Sequence, residues 1–306
     1  MRRPRLVHEA LFYEDLDGYL AGTTAFLREG LEQGEATMVA VPEPRIEALR
    51  SAMGADASAV RFVDMAELGC NPARIIPAVR EWVEGQATDR VRFIGEPIWA
   101  ERRADEICEA TRHEALLNLA FAGAPVAIQC PYDTGRLDAA VVADAERTHP
   151  ELVCDGHRHA SPAYDDPHAV YAAYEHPLSA PADDVQERPV TGDLAELRRF
   201  VRAHAELAAL DDDRIADLLI AATEAAANTL LHGGEPGILR IWRQAGDLVC
   251  EIADAGCIED PLVGRRVPDA RAEGGRGLWL INQLCDLVQL RPAVDGLTVR
   301  LHMHLS

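Results

Sequence analysis

Between residue 6 and about residue 160, short runs rich in β-branched and aromatic residues alternate with stretches of helical spacing. No other feature constrains the fold as much, because strands separated by helices pair in parallel and need the helices as crossovers. The runs 6–13, 36–41, 60–65, 91–96 and 125–130 predict five strands. Among the intervening segments, 105–121 places Ile107, Ala110, Leu116, Leu117 and Leu119 at helical spacing. The expectation is an α/β domain over residues 1–160, built on an open, doubly wound parallel sheet.

From 161 to 190 the chain turns to proline, alanine and acidic residues without sustained periodicity, which reads as an interdomain connection. Tyr164, Tyr171 and Tyr174 suggest that it packs on a domain and is not a free tether. Beyond 190 the order of elements changes. Two helices (about 193–209 and 212–231), two strands (237–243 and 247–254), a helix (277–289) and a last strand (296–303) predict an α+β domain over 191–306. A chain of 306 residues, against roughly 100–200 per domain, accommodates both.

Composition excludes several function classes. A net charge of −21, with both halves acidic, opposes a phosphate backbone, so no direct nucleic-acid partner is expected. No apolar run approaches the ~20 residues needed to cross a bilayer, and the N-terminus lacks the apolar core of a secretory signal. The protein is therefore expected in the cytoplasm, without a membrane partner. Seven cysteines, odd in number, widely spaced and without a C-x-x-C pair, are expected as reduced thiols and not as a disulfide framework or a structural zinc site. All 30 basic residues are arginine, which removes a Walker A lysine, a kinase strand lysine and a Schiff base.

The second helix of the C-terminal half carries T-E-A-A-A-N-T-L-L-H-G-G, which puts Glu224, Asn228 and His232 on one face at i, i+4 and i+8. Taken alone, such a stripe is a solvated polar face. It has company in Asp254-Ala255-Gly256 at a predicted strand end, and in Gly274-Gly275-Arg276-Gly277-Leu278 opening an apolar helix. A glycine-rich turn entering a helix offers backbone N–H groups and the positive end of the helix dipole, a phosphate cradle that needs no lysine. Arg276 either touches a phosphate or points to solvent. His232 lacks the second histidine or cysteine pair of a metal site, and local packing is expected of it.

With this ordered set, residues 191–306 resemble the two-layer Bergerat-fold (GHKL, histidine-kinase-like) ATPase domain, in the version found in bacterial anti-sigma factor serine kinases. The resemblance implies ATP/ADP as ligand and Mg²⁺ held by Asn228, with Glu224 placed to take a proton from an attacking hydroxyl. It implies that Asp254 accepts a hydrogen bond from the adenine amino group, that Gly256 lets the backbone approach the base, and that Gly274, Gly275, Arg276, Gly277 and Leu278 supply the phosphate-binding amides. Gly256 and Gly274 are only about 18 positions apart, and this short lid favours the anti-sigma subgroup. No phospho-acceptor histidine on a helical hairpin precedes Asp193, against a sensor histidine kinase.

Residues 8 to about 160 resemble the MEDS domain, a methanogen and methylotroph sensory module thought to be related to RecA-like folds. The resemblance rests on H-E-A-L-F-Y-E-D, L-R-E-G-L-E-Q-G-E, N-P-A-R-I-I, G-E-P-I-W, R-H-E-A-L-L-N-L-A-F and C-P-Y-D. The first strand is followed by Glu14-Asp15-Leu16-Asp17-Gly18 and not by G-x-x-x-x-G-K, so this half is not expected to hydrolyse nucleotide. Glu14, Asp64, Glu96, Trp99, Cys130, Tyr132 and Asp133 sit at strand ends, where they either line a pocket for a small-molecule ligand or cap the following helices. Arg112, His113 and Glu114 form either a small polar network or, as expected, an exposed charged patch, and Cys130 is either an oxidant sensor or, as expected, a buried inert thiol.

Together the two resemblances imply a sensory domain regulating an ATP-dependent serine/threonine kinase that acts on a STAS-type antagonist. Its partners would be a sigma factor, the STAS-domain anti-anti-sigma factor, and a second copy in a homodimer. The alternative is a non-catalytic switch that holds its partner according to ATP or ADP occupancy.

Overall fold

A computed structural model of the chain describes residues 6–233, 237–268, 275–293 and 296–305. The chain divides into two units, residues 1–174 and 175–306. Among the described residues, no helix is long and apolar enough to cross a membrane.

The first unit runs β1 (Val7–Tyr13), α1 (Leu16–Glu32), β2 (Ala36–Val41), α2 (Glu43–Met53), β3 (Val60–Asp64), α3 (Met65–Leu68), α4 (Ile75–Glu84), β4 (Val91–Gly95), α5 (Ala104–Ala120), β5 (Val126–Asp133), α6 (Ala139–Thr148), β6 (Glu151–Cys154), β7 (His157–Ala160) and α7 (Pro167–Ala173). Its seven strands form one sheet in the order β3-β2-β4-β5-β1-β6-β7. Every pairing is parallel except β6 with β7, a hairpin at the edge. The five expected strands are one edge, β3, and four of the five interior strands. The hairpin was not foreseen, although Asp155 (φ 49°) and Gly156 (φ 74°) form the left-handed Asp-Gly turn that favours such a connection. Pro131 lies in β5 beyond Gln129, the last rung paired with β4, so its missing N–H costs that ladder nothing.

Aspartates start several of these helices. Asp15 accepts from Gly18 N–H, Asp64 from Ala66 N–H, Asp138 from Ala140 N–H and Asp166 from Ala169 N–H. For Asp64, capping is thus the role the strand-end carboxylate plays. Arg92 on β4 is buried and donates to Glu35, Glu29 and the Phe26 carbonyl at 2.5, 2.8 and 3.0 Å. Gly30 makes room for it, since a Cβ there would lie 2.6 Å from Arg92 Cδ.

Arg112, His113 and Glu114 correct the expectation of an exposed patch: each is only 1% exposed. Helix α5 meets the sheet where Glu114 reaches His8 of β1 and Cys130 of β5, and is flanked by α6 and α7, so even consecutive positions, about 100° apart around the axis, face protein. Arg112 pairs with Glu109 at 3.3 Å and lies over the Tyr171 ring of α7 at 4.1 Å. Helix α7 occupies part of 161–190, the segment expected to lack periodic structure.

The second unit runs β8 (Gln186–Pro189), α8 (Leu194–Leu207), α9 (Asp212–His232), β9 (Ile238–Gln244), β10 (Asp247–Asp254), α10 (Gly277–Leu284), β11 (Leu287–Ala293) and β12 (Gly296–His304). Its sheet is wholly antiparallel, in the order β11-β12-β10-β9-β8. Leu197, Val201, Ile215, Leu218, Leu219, Ala222 and Ile281 bury one face of the three helices against Leu239, Ile241, Cys250, Ile252 and Leu301, which alternate along the strands. The other sheet face carries a buried Glu251 gripped by Arg300 at 2.6 and 2.8 Å and by Arg240 at 3.2 Å. This is the expected α+β arrangement with two differences. Residues 186–189 form strand β8, and the helix expected over 277–289 ends at Leu284, because 287–293 pair with β12 as β11.

Candidate functional site

The polar face of α9, the end of β10 and the start of α10 meet in one place. Asp211 caps α9 by accepting from Arg214 N–H, and the apolar face of the helix sets its rotation on the core, which turns Glu224 and Asn228 toward α10. The contact is so close that any side chain larger than glycine opposite would press on both. A Cβ on Gly277 would lie 3.0 Å from Glu224 Oε2, and 3.3 and 3.4 Å from Asn228 Nδ2 and Oδ1. Gly277 is the first residue of α10, and among the described residues no side chain makes a capping hydrogen bond to that helix. Its first amides therefore keep their hydrogen-bonding capacity, and the helix dipole adds positive potential beside a carboxylate and an amide oxygen. Such a place suits an anion bridged by a hard cation.

At the next position along α9, Thr229 Oγ1 donates to Asp254 Oδ2 at 2.5 Å, while Asp254 Oδ1 accepts from Gly256 N–H at 2.8 Å. The carboxylate is thereby held at the strand exit in a fixed orientation. Three glycines crowd around it. Cβ atoms on Gly233 and Gly237 would come within 3.1 and 3.3 Å of Asp254 Cβ, and one on Gly296 within 1.7 Å of its carbonyl oxygen. A cavity of about 240 Å³ opens here, lined among others by Asn228, His232, Asp254, Gly256, Leu278 and Val299. Its mixture of one carboxylate, backbone amides and apolar side chains matches the usual make-up of a small-molecule pocket.

Of the residues singled out in the sequence, the structure brings together Glu224, Asn228, Asp254, Gly256, Gly277 and Leu278. Gly275 also lines the cavity, at φ 76°, a conformation glycine adopts without strain. Arg276 is exposed at the N-cap position of α10. Gly274 lies outside the described residues. His232 is exposed and lines the cavity, where local packing had been expected. The described part of the lid is braced by Asp260, which accepts from Leu262 N–H at 2.9 Å and pairs with Arg266 at 2.6 Å, and by Asn282, which donates to the Gly264 carbonyl at 3.0 Å. Thr229 was missed. Its only signal in the sequence is adjacency to Asn228, because the partner it holds is 25 positions away.

In the first unit, a cavity of about 740 Å³ lies against β1 and α1, and of the seven strand-end residues named only Glu14 lines it, beside Glu9, Gln129 and Arg158. Glu9 accepts from Gln129 at 2.8 Å and pairs with Arg158 at 2.6 Å, and burial raises its pKa. Glu96 is fully enclosed with Tyr13 O–H at 3.3 Å, and burial pushes its carboxyl up to about 8.

Residues 7–150 match the MEDS family, described as the methanogen/methylotroph, DcmR sensory domain, and residues 189–303 match the histidine kinase-like ATPase domain family. The chain thus carries a MEDS domain at its N-terminus and a histidine-kinase-like ATPase domain at its C-terminus. A crystal structure of the RsbU and RsbW domains of a Mycobacterium tuberculosis protein is similar at 18% identity and a TM-score of 0.31, over 41% of this chain and 33% of that one. This chain spans about a third of that chain's length. No curated protein matches the chain.

Proposed function

We propose that this chain, a MEDS domain joined to a histidine-kinase-like ATPase domain, is an anti-sigma regulatory protein that binds ATP and phosphorylates a serine or threonine of a STAS-type antagonist. The observation that carries the proposal is the meeting of Glu224 and Asn228 with Gly277 at the uncapped start of α10, next to an Asp254 fixed by Thr229 and Gly256. In this assignment Asp254 accepts from the adenine amino group, and the close backbone at Gly256 admits the ring. The first amides of α10 hold the phosphates, with Gly274, Gly275, Arg276, Gly277 and Leu278 as the binding turn.

The amide oxygen of Asn228 is a hard ligand of the kind Mg²⁺ takes, and a Cβ at Gly277 would fill the space beside it. Bound by Asn228, the ion would offset charge on the phosphates. Glu224 takes the proton of the substrate hydroxyl as its oxygen bonds to the γ-phosphorus and ADP leaves. The added phosphate charge then changes which partner the antagonist holds. The N-terminal domain would bias this activity through a small-molecule ligand.

The test is transfer of label from Mg·[γ-³²P]ATP to a STAS protein from the same organism by the full chain, its Glu224→Gln variant and its Asn228→Ala variant. Acid-stable label on serine or threonine is expected, with ATP binding retained and transfer lost in Glu224→Gln. A wild-type chain that binds ATP and the STAS protein but transfers nothing would leave the nucleotide-dependent switch as the function. Acid-labile label on the chain itself would overturn the serine/threonine assignment.

A further inference from the structure

Inside the MEDS domain, four side chains from separate parts of the fold converge on one point under α5. They are His8 of β1, Glu114 of α5, Cys130 of β5 and His149 immediately after α6, none more than 1% exposed. One ligand-capable atom from each lies within 4.8 Å of all the others. Around Glu114 Oε2 stand His8 Nε2 at 3.2 Å, His149 Nε2 at 3.3 Å and Cys130 Sγ at 3.3 Å, with Sγ 3.6 Å from His8 Nε2. Ligand atoms bound tetrahedrally to zinc at roughly 2.0–2.3 Å stand roughly 3.3–3.8 Å from one another, so four of the six separations match a coordination shell, and the other two lie within 4.8 Å.

Hydrogen-bond accounting points the same way. His8 Nδ1 is 3.1 Å from Asn118 Oδ1, whose amide nitrogen donates to the Thr148 carbonyl at 2.8 Å, and His149 Nδ1 is 2.8 Å from the Ala145 carbonyl. Asn118 Oδ1 and the Ala145 carbonyl only accept, and His149 Nδ1 also stands 2.9 Å from Thr148 Oγ1, so each ring has a partner for a proton on Nδ1, which leaves Nε2 to bind an ion lying between it and the carboxylate. The Cys130 thiol donates to Glu114 Oε2. Two fully buried atoms, His149 Nε2 and Glu114 Oε1, have no hydrogen-bond partner. Acceptors gathered around a point with too few protons are satisfied by a cation. Imidazoles whose second nitrogen is anchored to an oxygen are the usual form of metal-bound histidine.

We propose that His8, Glu114, Cys130 and His149 bind one Zn²⁺ ion. The thiol gives up its proton to solvent as the Zn–S bond forms, and nothing is oxidised or reduced. A thiolate, a carboxylate and two neutral imidazoles cancel the charge of the ion, which allows the site to be wholly enclosed. Four protein ligands close the shell, so the ion ties β1, β5, α5 and the end of α6 together and offers no open position for catalysis.

The test is metal analysis and Co²⁺ titration of the full chain, purified without an immobilised-metal column, alongside Cys130→Ala and His149→Ala. Expected are close to one zinc per chain and, after chelation and addition of Co²⁺, intense tetrahedral visible bands with a near-ultraviolet thiolate band. Cys130→Ala should lose the thiolate band, and His149→Ala, deprived of a ligand, should bind zinc more than about a hundredfold more weakly, beyond the cost of losing an outer-shell partner. A wild-type chain that holds no zinc and gives only the weak spectrum of octahedral cobalt would overturn the proposal. So would a thiolate band that persists in Cys130→Ala. Because the cobalt spectrum is read on the wild-type chain, the test stands even if a variant does not fold.

Discussion

Replacing Gly277 with alanine separates the fold of the ATPase domain from its site. The added Cβ would stand 3.0 Å from Glu224 Oε2 and 3.3 Å from Asn228 Nδ2, tighter than such contacts normally are, so the two side chains must turn away. The helix itself gains, because Gly277 is helical and alanine is favoured over glycine in a helix by up to about 1 kcal/mol. Losing one hydrogen bond to a charged ligand group costs about 1.5–3 kcal/mol, which is roughly a ten- to hundredfold rise in Kd. Calorimetric titration of the full chain with Mg·ATP should therefore show weakened binding, while urea unfolding shows stability unchanged or slightly raised. Gly192→Ala, where nothing lies within 4 Å of the added Cβ, is the control. Unaltered ATP affinity in Gly277→Ala would refute the placement of the ligand between α9 and α10, and loss of folding would refute the helix argument.

Thr229→Val keeps the volume but removes the hydroxyl that holds Asp254, leaving a carboxylate oxygen without its donor; about 1–3 kcal/mol of stability should be lost, read by urea midpoint, with weaker ATP binding. Glu96→Gln should abolish a pH dependence. Since the folded-state pKa is raised to about 8, the folded protein holds a proton that the unfolded chain releases from about pH 4.5 upward, so wild-type stability falls with rising pH until about 8 and is flat above. Between pH 5.5 and 8 the fall amounts to about 3 kcal/mol, and urea midpoints of the variant should lack it. Arg92→Met leaves Glu35 buried beside an apolar chain and should cost about 3–5 kcal/mol in thermal or urea unfolding of the first unit.

How much of this could be read from the chain depends on the range of the interactions. Strands β1 to β5 were legible within a few residues because buried parallel strands are continuous apolar runs. Strand β8, Gln-Glu-Arg-Pro, has no such signature and exists because β9 offers it a partner. Residues 287–293 follow an apolar helix without a break, and a short apolar run does not declare its period. Helix α7 was hidden in a proline-rich segment, though Asp166-Pro167 is the start signal of a helix. At the site, the spacing of Glu224 and Asn228 was visible because both lie on one helix face, whereas the grip of Thr229 on Asp254 depends on tertiary structure. The same holds in the MEDS domain, where His8, Glu114 and Cys130 lie in three separate stretches and only the sheet and α5 bring them to one point.

The central claim is that a nucleotide binds between α9, the end of β10 and the start of α10. Calorimetric titration of the full chain with Mg·ATP, alongside Asn228→Ala and Asp254→Ala, addresses it most directly. Saturable binding of the wild type, lost in both variants while their unfolding curves remain cooperative, is the predicted result. No binding by the wild-type chain, or equal binding by all three, would contradict it.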